Sequence, residues 1–270
     1  MNANLARVLL GIAALGTLAP LAFMLGAAFK PESEIFATPA NPFTLHPTFE
    51  NVVAAVTQLQ FGHMLLVSVL FALGVTLGQL AIAIPAAYVF ARNDVPLAGP
   101  LFALVLATLP IPFVVTYIPN YLMLASAHLL NTLPGLILPQ IASAYGIFLL
   151  RQHFRSFPRS VLEAARIDGA TRWDALWRIL VPANLPAIVA LSVYIFVNTW
   201  NQYIWPLLVA SDPSLFTLTV GVQNFANGEG GSRWGALMAA ALLATIPTVA
   251  AYLAVRRPLF STLIEGAVTG

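Results

Sequence analysis

Residues 163–188 read EAARIDGATRWDALWRILVPANLPAI, with apolar runs on both sides. Charge is dense only here: six arginines stand between Arg151 and Arg178, interleaved with Glu163, Asp168 and Asp174. Of the 270 residues, 59% are hydrophobic and 8% charged, against about 25% charged in soluble domains. A water-facing fold cannot hide so much apolar surface, so the solvent is lipid. A polar segment held out of the bilayer is expected to meet something in the cytoplasm.

The charge-free gaps count the crossings. Arg7 to Lys30 encloses 22 uncharged residues, Glu50 to Arg92 encloses 41, Asp94 to Arg151 encloses 56, Arg178 to Asp212 encloses 33, and Arg233 to Arg256 encloses 22. A spanning helix needs about 20 apolar residues. The longest gap therefore holds two, joined by a turn near 128–132. The expectation is an all-α polytopic membrane protein, one domain over 1–270. Its six transmembrane helices fall near 7–28, 65–90, 99–124, 133–152, 185–208 and 236–256, and a polar loop covers 153–184. The first apolar stretch is longer than a signal-peptide core and reads as a retained helix.

Orientation follows from Lys and Arg. Placing both termini with the 91–98 and 151–184 loops puts Arg7, Arg92, the six arginines, Arg256 and Arg257 on one side, against Lys30 and Arg233 on the other. That split makes both termini cytoplasmic. The small net charge of +2 then reflects topology and does not indicate nucleic-acid binding. The external 29–64 loop, acidic and proline-rich (Glu32, Glu34, Glu50; Pro31, Pro39, Pro42, Pro47), is expected to be ordered.

Within the polar segment, Ser160 precedes Glu163 by three residues, the spacing of a capping box. Gly169 ends or bends the helix. A second short helix starts near Thr171. Trp173, Leu176, Trp177 and Leu180 share one face at helical spacing, and Asp174 with Arg178 is an i, i+4 ion pair. Pro182 and Pro186 return the chain to the membrane. The result is a helix–turn–helix bracket, either an interfacial anchor or a dock for a soluble partner.

Glu163-Ala164-Ala165, Asp168-Gly169-Ala170, Ile179 and Pro182 resemble the EAA motif of membrane subunits of ABC importers, with Gly169 six residues after Glu163 and Pro182 thirteen after Gly169. Lys30-Pro31, the run Asn198-Thr199-Trp200-Asn201-Gln202-Tyr203 and the final Glu265–Gly270 resemble the second permease of carbohydrate importers, the maltose type that includes glycerol-3-phosphate permeases. Leu176 and Val181 depart from the Phe and Leu usual in that family but stay apolar. The resemblance implies a non-catalytic permease subunit of a bacterial-type inner membrane. It also implies a heterodimer with a second permease, two ATP-binding-cassette ATPases and an external solute-binding protein. The bracket would be the coupling helix, with Glu163 making a polar contact in an ATPase cleft.

The chain has no Gly-x-x-x-x-Gly-Lys-Ser/Thr loop, and its sole lysine is Lys30. ATP and Mg²⁺ are therefore expected on a partner ATPase, with no cofactor here. The predicted spans hold no acidic or basic residue well inside, which disfavours a proton-coupled carrier. His46, His63, His128 and His153 lack metal-site spacing, so neither a metal site nor a catalytic residue is expected. Amides and aromatics in the fifth span, Tyr194, Asn198, Trp200, Asn201, Gln202 and Tyr203, are the candidate substrate path, because amides serve hydroxyls and ring faces suit sugars. The same groups also glue helices together. Trp205 reads as an interfacial belt residue. Pro110, Pro112 and Pro119 read as kinks or hinges, and Gly74, Thr76 and Gly78 as a close-contact face.

Overall fold

A computed structural model describes residues 3–38, 41, 43–58, 60–92, 96–226 and 233–268. The side chains of 224–226 and 255–268 are outside that description, as are Pro39, Pro42, Thr269, Gly270 and parts of the 91–98 and 209–235 loops. The described residues are predominantly helical, with no strand among them. They form two compact units, 1–67 with 216–249, and 68–215 with 250–270.

The first unit packs small residues closely. Ala28, Ala55, Ala239 and Ala240 are fully buried against one another, flanked by Phe29, Val52 and Leu242. The Ala3–Ala28 helix is exposed and apolar along most of its length, as a helix surrounded by hydrocarbon requires. Beyond it lies a polar knot. Lys30 is only 2% exposed, and its Nζ donates to the Thr38 carbonyl (3.0 Å), the Thr38 hydroxyl (2.7 Å) and the Asn41 carbonyl (2.9 Å). Three acceptors replace the water that a buried ammonium loses. Both Glu32 carboxylate oxygens accept from the backbone at the start of the Trp234–Val268 helix, Trp234 N at 2.8 Å and Gly235 N at 3.1 Å. A carboxylate there satisfies orphan donors and suits the helix dipole. Asn51 donates to the Lys30 carbonyl at 2.8 Å. It lies so close to Gly235 that a Cβ there would stand 2.3 Å from its amide nitrogen.

In the second unit, the Phe61–Arg92 helix supplies Phe71, Val75, Ile84, Ala87 and Tyr88 to the main core. Gly74 and Gly78 let the 133–141 segment approach: a Cβ would meet Ile137 at 2.4 Å and Ile141 at 2.5 Å, respectively. The expected small-residue face therefore works within this chain. Among the described residues, three helices are long and apolar enough to cross a membrane, Asn4–Ala28, Phe61–Arg92 and Trp234–Ala254. The total reaches five if two bent pairs each count once: Leu133–Gln140 with Ala144–Ser156 (51°), and Arg172–Ala183 with Leu185–Trp200 (78°). The expected crossing 99–124 is not one helix. It runs as Ala98–Ala107, a turn, a 3₁₀ stretch Phe113–Thr116 and then Tyr117–Ser126. Pro110 and Pro112 lack the N–H groups that would continue the first helix; Pro119 falls in the first turn of the last, where proline is tolerated.

The 128–132 turn forms as read. His128 and Asn131 both take positive φ near 55°, and Asn131 Oδ1 accepts from Ser211 N (2.6 Å) and Asp212 N (3.0 Å). This draws the Ile204–Val209 helix over Leu133–Ile137. Trp205 is consequently not a belt residue. It is 0% exposed, its indole N–H donates to the Leu136 carbonyl at 3.0 Å, and its ring packs on Phe113 and Tyr117. Arg151, counted above with the loop arginines, is a buried brace. Its Nε donates to the Phe90 carbonyl at 3.0 Å, and its guanidinium lies 3.9 Å above the Phe102 ring.

Candidate functional site

The polar segment builds a bracket from two short helices and a glycine corner. The first helix, Arg159–Ile167, does not use the expected Ser160 cap. Pro158 occupies the N-cap position and no side chain caps it. Ser160 already lies inside the first turn, whereas a capping hydroxyl must stand outside it. Leu162 is the only buried residue of this helix. Its C-terminus is closed by a Schellman motif: Gly169 N bonds the Arg166 carbonyl (3.0 Å) and Ala170 N the Ala165 carbonyl (2.9 Å), with Gly169 at φ +88°. Ala165, Gly169 and Ala170 of the motif thus have a geometric reason: they are the C3, C′ and C″ positions of that cap.

A capping box does exist, two residues beyond the glycine. Asp174 N bonds the Thr171 hydroxyl at 3.1 Å, and Thr171 N bonds the Asp174 carboxylate at 3.2 Å. Asp174 also pairs with Arg178 at 3.2 Å. The Thr171 hydroxyl first, then its N–H and the Arg178 charge, hold the Asp174 carboxyl below its ordinary range. Residues Ala175–Leu180 form a π turn. The expected four-residue face therefore divides: Leu176 and Leu180 are buried, while Trp173 is 64% exposed and Trp177 partly exposed. Each half is an i, i+4 pair, Leu176 with Leu180 inside and Trp173 with Trp177 outside, where the two indoles pack edge-on at 5.6 Å. Asn184 Nδ2 closes the bracket on the Leu180 carbonyl at 2.8 Å, where the chain bends by 78°.

The bracket presents Glu163, Ala164, Asp168 and Pro182 exposed, with Ala165, Ala170 and Ile179 half-buried. Ile167, at the corner, is 87% exposed. Large apolar side chains so placed, beside charged ones, make a surface able to bury apolar area against a partner.

The second feature is a cleft of about 580 Å³ with a mixed polar and apolar wall. Gln79, Thr116, Asn120, Gln140, Tyr145 and Gln202 contribute to its wall, and none of its lining residues is ionisable at neutral pH. Of the six residues chosen from sequence as substrate path, only Gln202 lines it. Tyr194 is half-exposed, with its ring 5.0 Å from that of Tyr145. Asn198 and Asn201 spend their amide N–H groups on their own helix, on the Tyr194 and Val197 carbonyls (2.8 Å each). Trp200 is buried against Phe196, and Tyr203 is half-buried. Gln79 and Gln140 were missed, although glutamines inside apolar runs are themselves a signal of a polar site.

Residues 66–259 match the family described as binding-protein-dependent transport system inner membrane component. Among similar proteins, the sn-glycerol-3-phosphate transport system permease protein UgpE of Yersinia pestis bv. Antiqua (strain Antiqua) is 34% identical over 266 residues, covering 96% of this chain and 95% of that protein. The protein of the same name from Escherichia coli O1:K1 / APEC is 35% identical, covering 96% and 94%. A crystal structure of a bacterial ABC transporter involved in the import of the acidic polysaccharide alginate has a chain of the same fold, with TM-score 0.83, 19% identity and 94% of each chain covered. With the family match over most of the chain and relatives aligned nearly end to end, this protein belongs to the inner membrane components of binding-protein-dependent transport systems, the permease subunits of ABC importers.

Proposed function

We propose that this chain forms half of the translocation pathway of an ATP-driven importer for a carbohydrate and is driven through residues 163–182. The observation that carries the reading is the bracket. Its corner is locked by the Gly169 Schellman bonds, and it leaves Ile167 and Trp173 exposed beside Glu163 and Asp168. Burying one such large apolar side chain in an ATPase cleft contributes about 1.5–3 kcal/mol, and Glu163 adds a polar contact that fixes register. The whole chain acts as one transmembrane domain with six crossings, the third interrupted at its prolines. Both termini and the bracket face the cytoplasm. Its partners are a second permease, two ATPase subunits that bind ATP and Mg²⁺, and an external solute-binding protein.

A polyol phosphate is the second reading, favoured by relatives named for sn-glycerol-3-phosphate. The carbohydrate reading rests on a cleft lined by amides, hydroxyls and Tyr145, with no cationic side chain to meet a phosphate. The test of the coupling role is Glu163→Ala in the assembled importer. ATP-driven uptake is expected to be lost while membrane insertion persists. Unimpaired uptake refutes the coupling role, and a lone chain that transports without any ATPase refutes the importer reading.

A further inference from the structure

We propose that an apolar groove in the first unit seats one acyl chain of a membrane phospholipid. The groove is lined by Phe23, Ala27, Ile35, Phe36, Trp234 and Met238 and measures about 190 Å³. All six residues belong to the compact unit of 1–67 with 216–249. Three helices build it. Ala3–Ala28 gives Phe23 and Ala27, Glu32–Ala37 gives Ile35 and Phe36, and Trp234–Val268 gives Trp234 and Met238. Ala27 and Ile35 are buried and make the floor, while the exposed rings of Phe36 and Trp234 meet edge to face at 6.5 Å and make the rim. Glu32 holds the frame, since its carboxylate bonds Trp234 N and Gly235 N.

Position and chemistry decide the occupant. Phe23 lies five residues before the end of its helix, and Met238 four residues after the start of its own. At about 1.5 Å per residue the groove reaches roughly 6–8 Å inward from both helix ends. Headgroups give way to acyl chains at about that depth, roughly 5–10 Å. Trp234 stands at the outer end, as tryptophans do at membrane interfaces. Arg233, exposed and one residue farther out, is at the level of a lipid phosphate. The Ala3–Ala28 helix that forms one wall is exposed and apolar along most of its length, so the groove continues a hydrocarbon-facing surface. Among its lining side chains only Trp234 carries an N or O atom. Water needs two to four polar partners to settle, whereas a dry apolar cavity of about 150 Å³ takes up benzene. This groove is somewhat larger, room for a short run of methylenes. Left empty, its walls forfeit dispersion contacts; a neighbouring lipid chain restores them without leaving hydrocarbon. The seat depends on the bilayer alone and is the same whatever solute is carried.

The test places the complete importer in nanodiscs holding phosphatidylcholine with a photoreactive diazirine high on one acyl chain, and maps adducts by peptide mass spectrometry. Val8 and Leu9 are the standard. They lie about as far from the other end of the Ala3–Ala28 helix and are exposed to bulk lipid. Adducts on Trp234 and Met238 should exceed that standard severalfold. Phosphatidylglycerol with the same chain should label the same residues, because both lipids carry the phosphate. Phe36→Ala changes an exposed residue and opens one wall, so adducts on Trp234 and Met238 should fall about fivefold, the effect of losing roughly ten carbon–carbon contacts. Ala27→Leu fills the floor and should do the same, with Val8 and Leu9 unchanged. If Phe36→Ala lowers the standard as well, the fold has been lost and Ala27→Leu decides. Labelling no greater than at Val8 and Leu9, or unchanged in both variants, overturns the proposal. So does a groove without adducts in the complete importer, which assigns it to a side chain of a partner subunit.

Discussion

Replacing Gly169 separates backbone strain from crowding at the bracket corner. A Cβ built there meets nothing within 4 Å, so side-chain bulk alone carries no steric penalty. What remains is φ +88°. An L-residue in left-handed backbone costs about 1–2 kcal/mol, a factor of about 5–30 in an equilibrium. That cost falls on the two bonds that turn the corner, from Gly169 N to Arg166 O and from Ala170 N to Ala165 O. They set where Ile167 and Glu163 stand relative to Thr171. Gly169→Ala should therefore weaken association with the ATPase subunit by about 5–30-fold. Gly169→Asn should be milder, because asparagine tolerates this region, and Gly169→Val more severe, because β-branched residues are outliers there. The assay is ATPase binding and ATP-driven uptake, normalised to the amount of chain in the membrane. The reasoning fails if Gly169→Ala binds like wild type, or if Gly169→Asn loses as much as Gly169→Val.

Trp205→Phe removes the indole N–H and leaves the Leu136 carbonyl with the Gln140 amide in its place, which should lower stability by about 0.5–1.5 kcal/mol; an unchanged unfolding temperature in detergent would refute the buried assignment. Gly135→Ala would place a Cβ 2.1 Å from the Leu129 backbone oxygen; the turn must then move, and membrane abundance should fall sharply, whereas wild-type abundance would contradict the close approach. The Asp174 carboxyl is held below its ordinary range, chiefly by the Thr171 hydroxyl. A depressed carboxylate contributes stability that is full above the unfolded value, about 3.9, and lost as pH falls through the lower folded value. Bracket–ATPase association should hence show no Asp174-dependent change between about pH 7.5 and 5.5. A loss in that window that Asp174→Asn abolishes would refute the capping role.

Composition and local spacing determine much of this protein. The scarcity of charge makes lipid the solvent. A helical chain follows, since its backbone groups must pair internally there. Gly169, the Asp174–Arg178 pair and Pro182 mark the bracket because a corner, an i, i+4 pair and a turn are all encoded within a few residues. The cleft was not legible in the same way. Its amides meet across 61 and 62 residues of chain, from Gln79 to Gln140 and from Gln140 to Gln202, and Trp205 reaches Leu136 across 69. A helix that is apolar all round carries no periodic stripe to say which face turns inward. Asn198 and Asn201 therefore looked equivalent to Gln202 in the sequence. Only tertiary packing returned the amide N–H groups of the first two to their own helix and set the third at the wall of the cleft, bonded to Gln140.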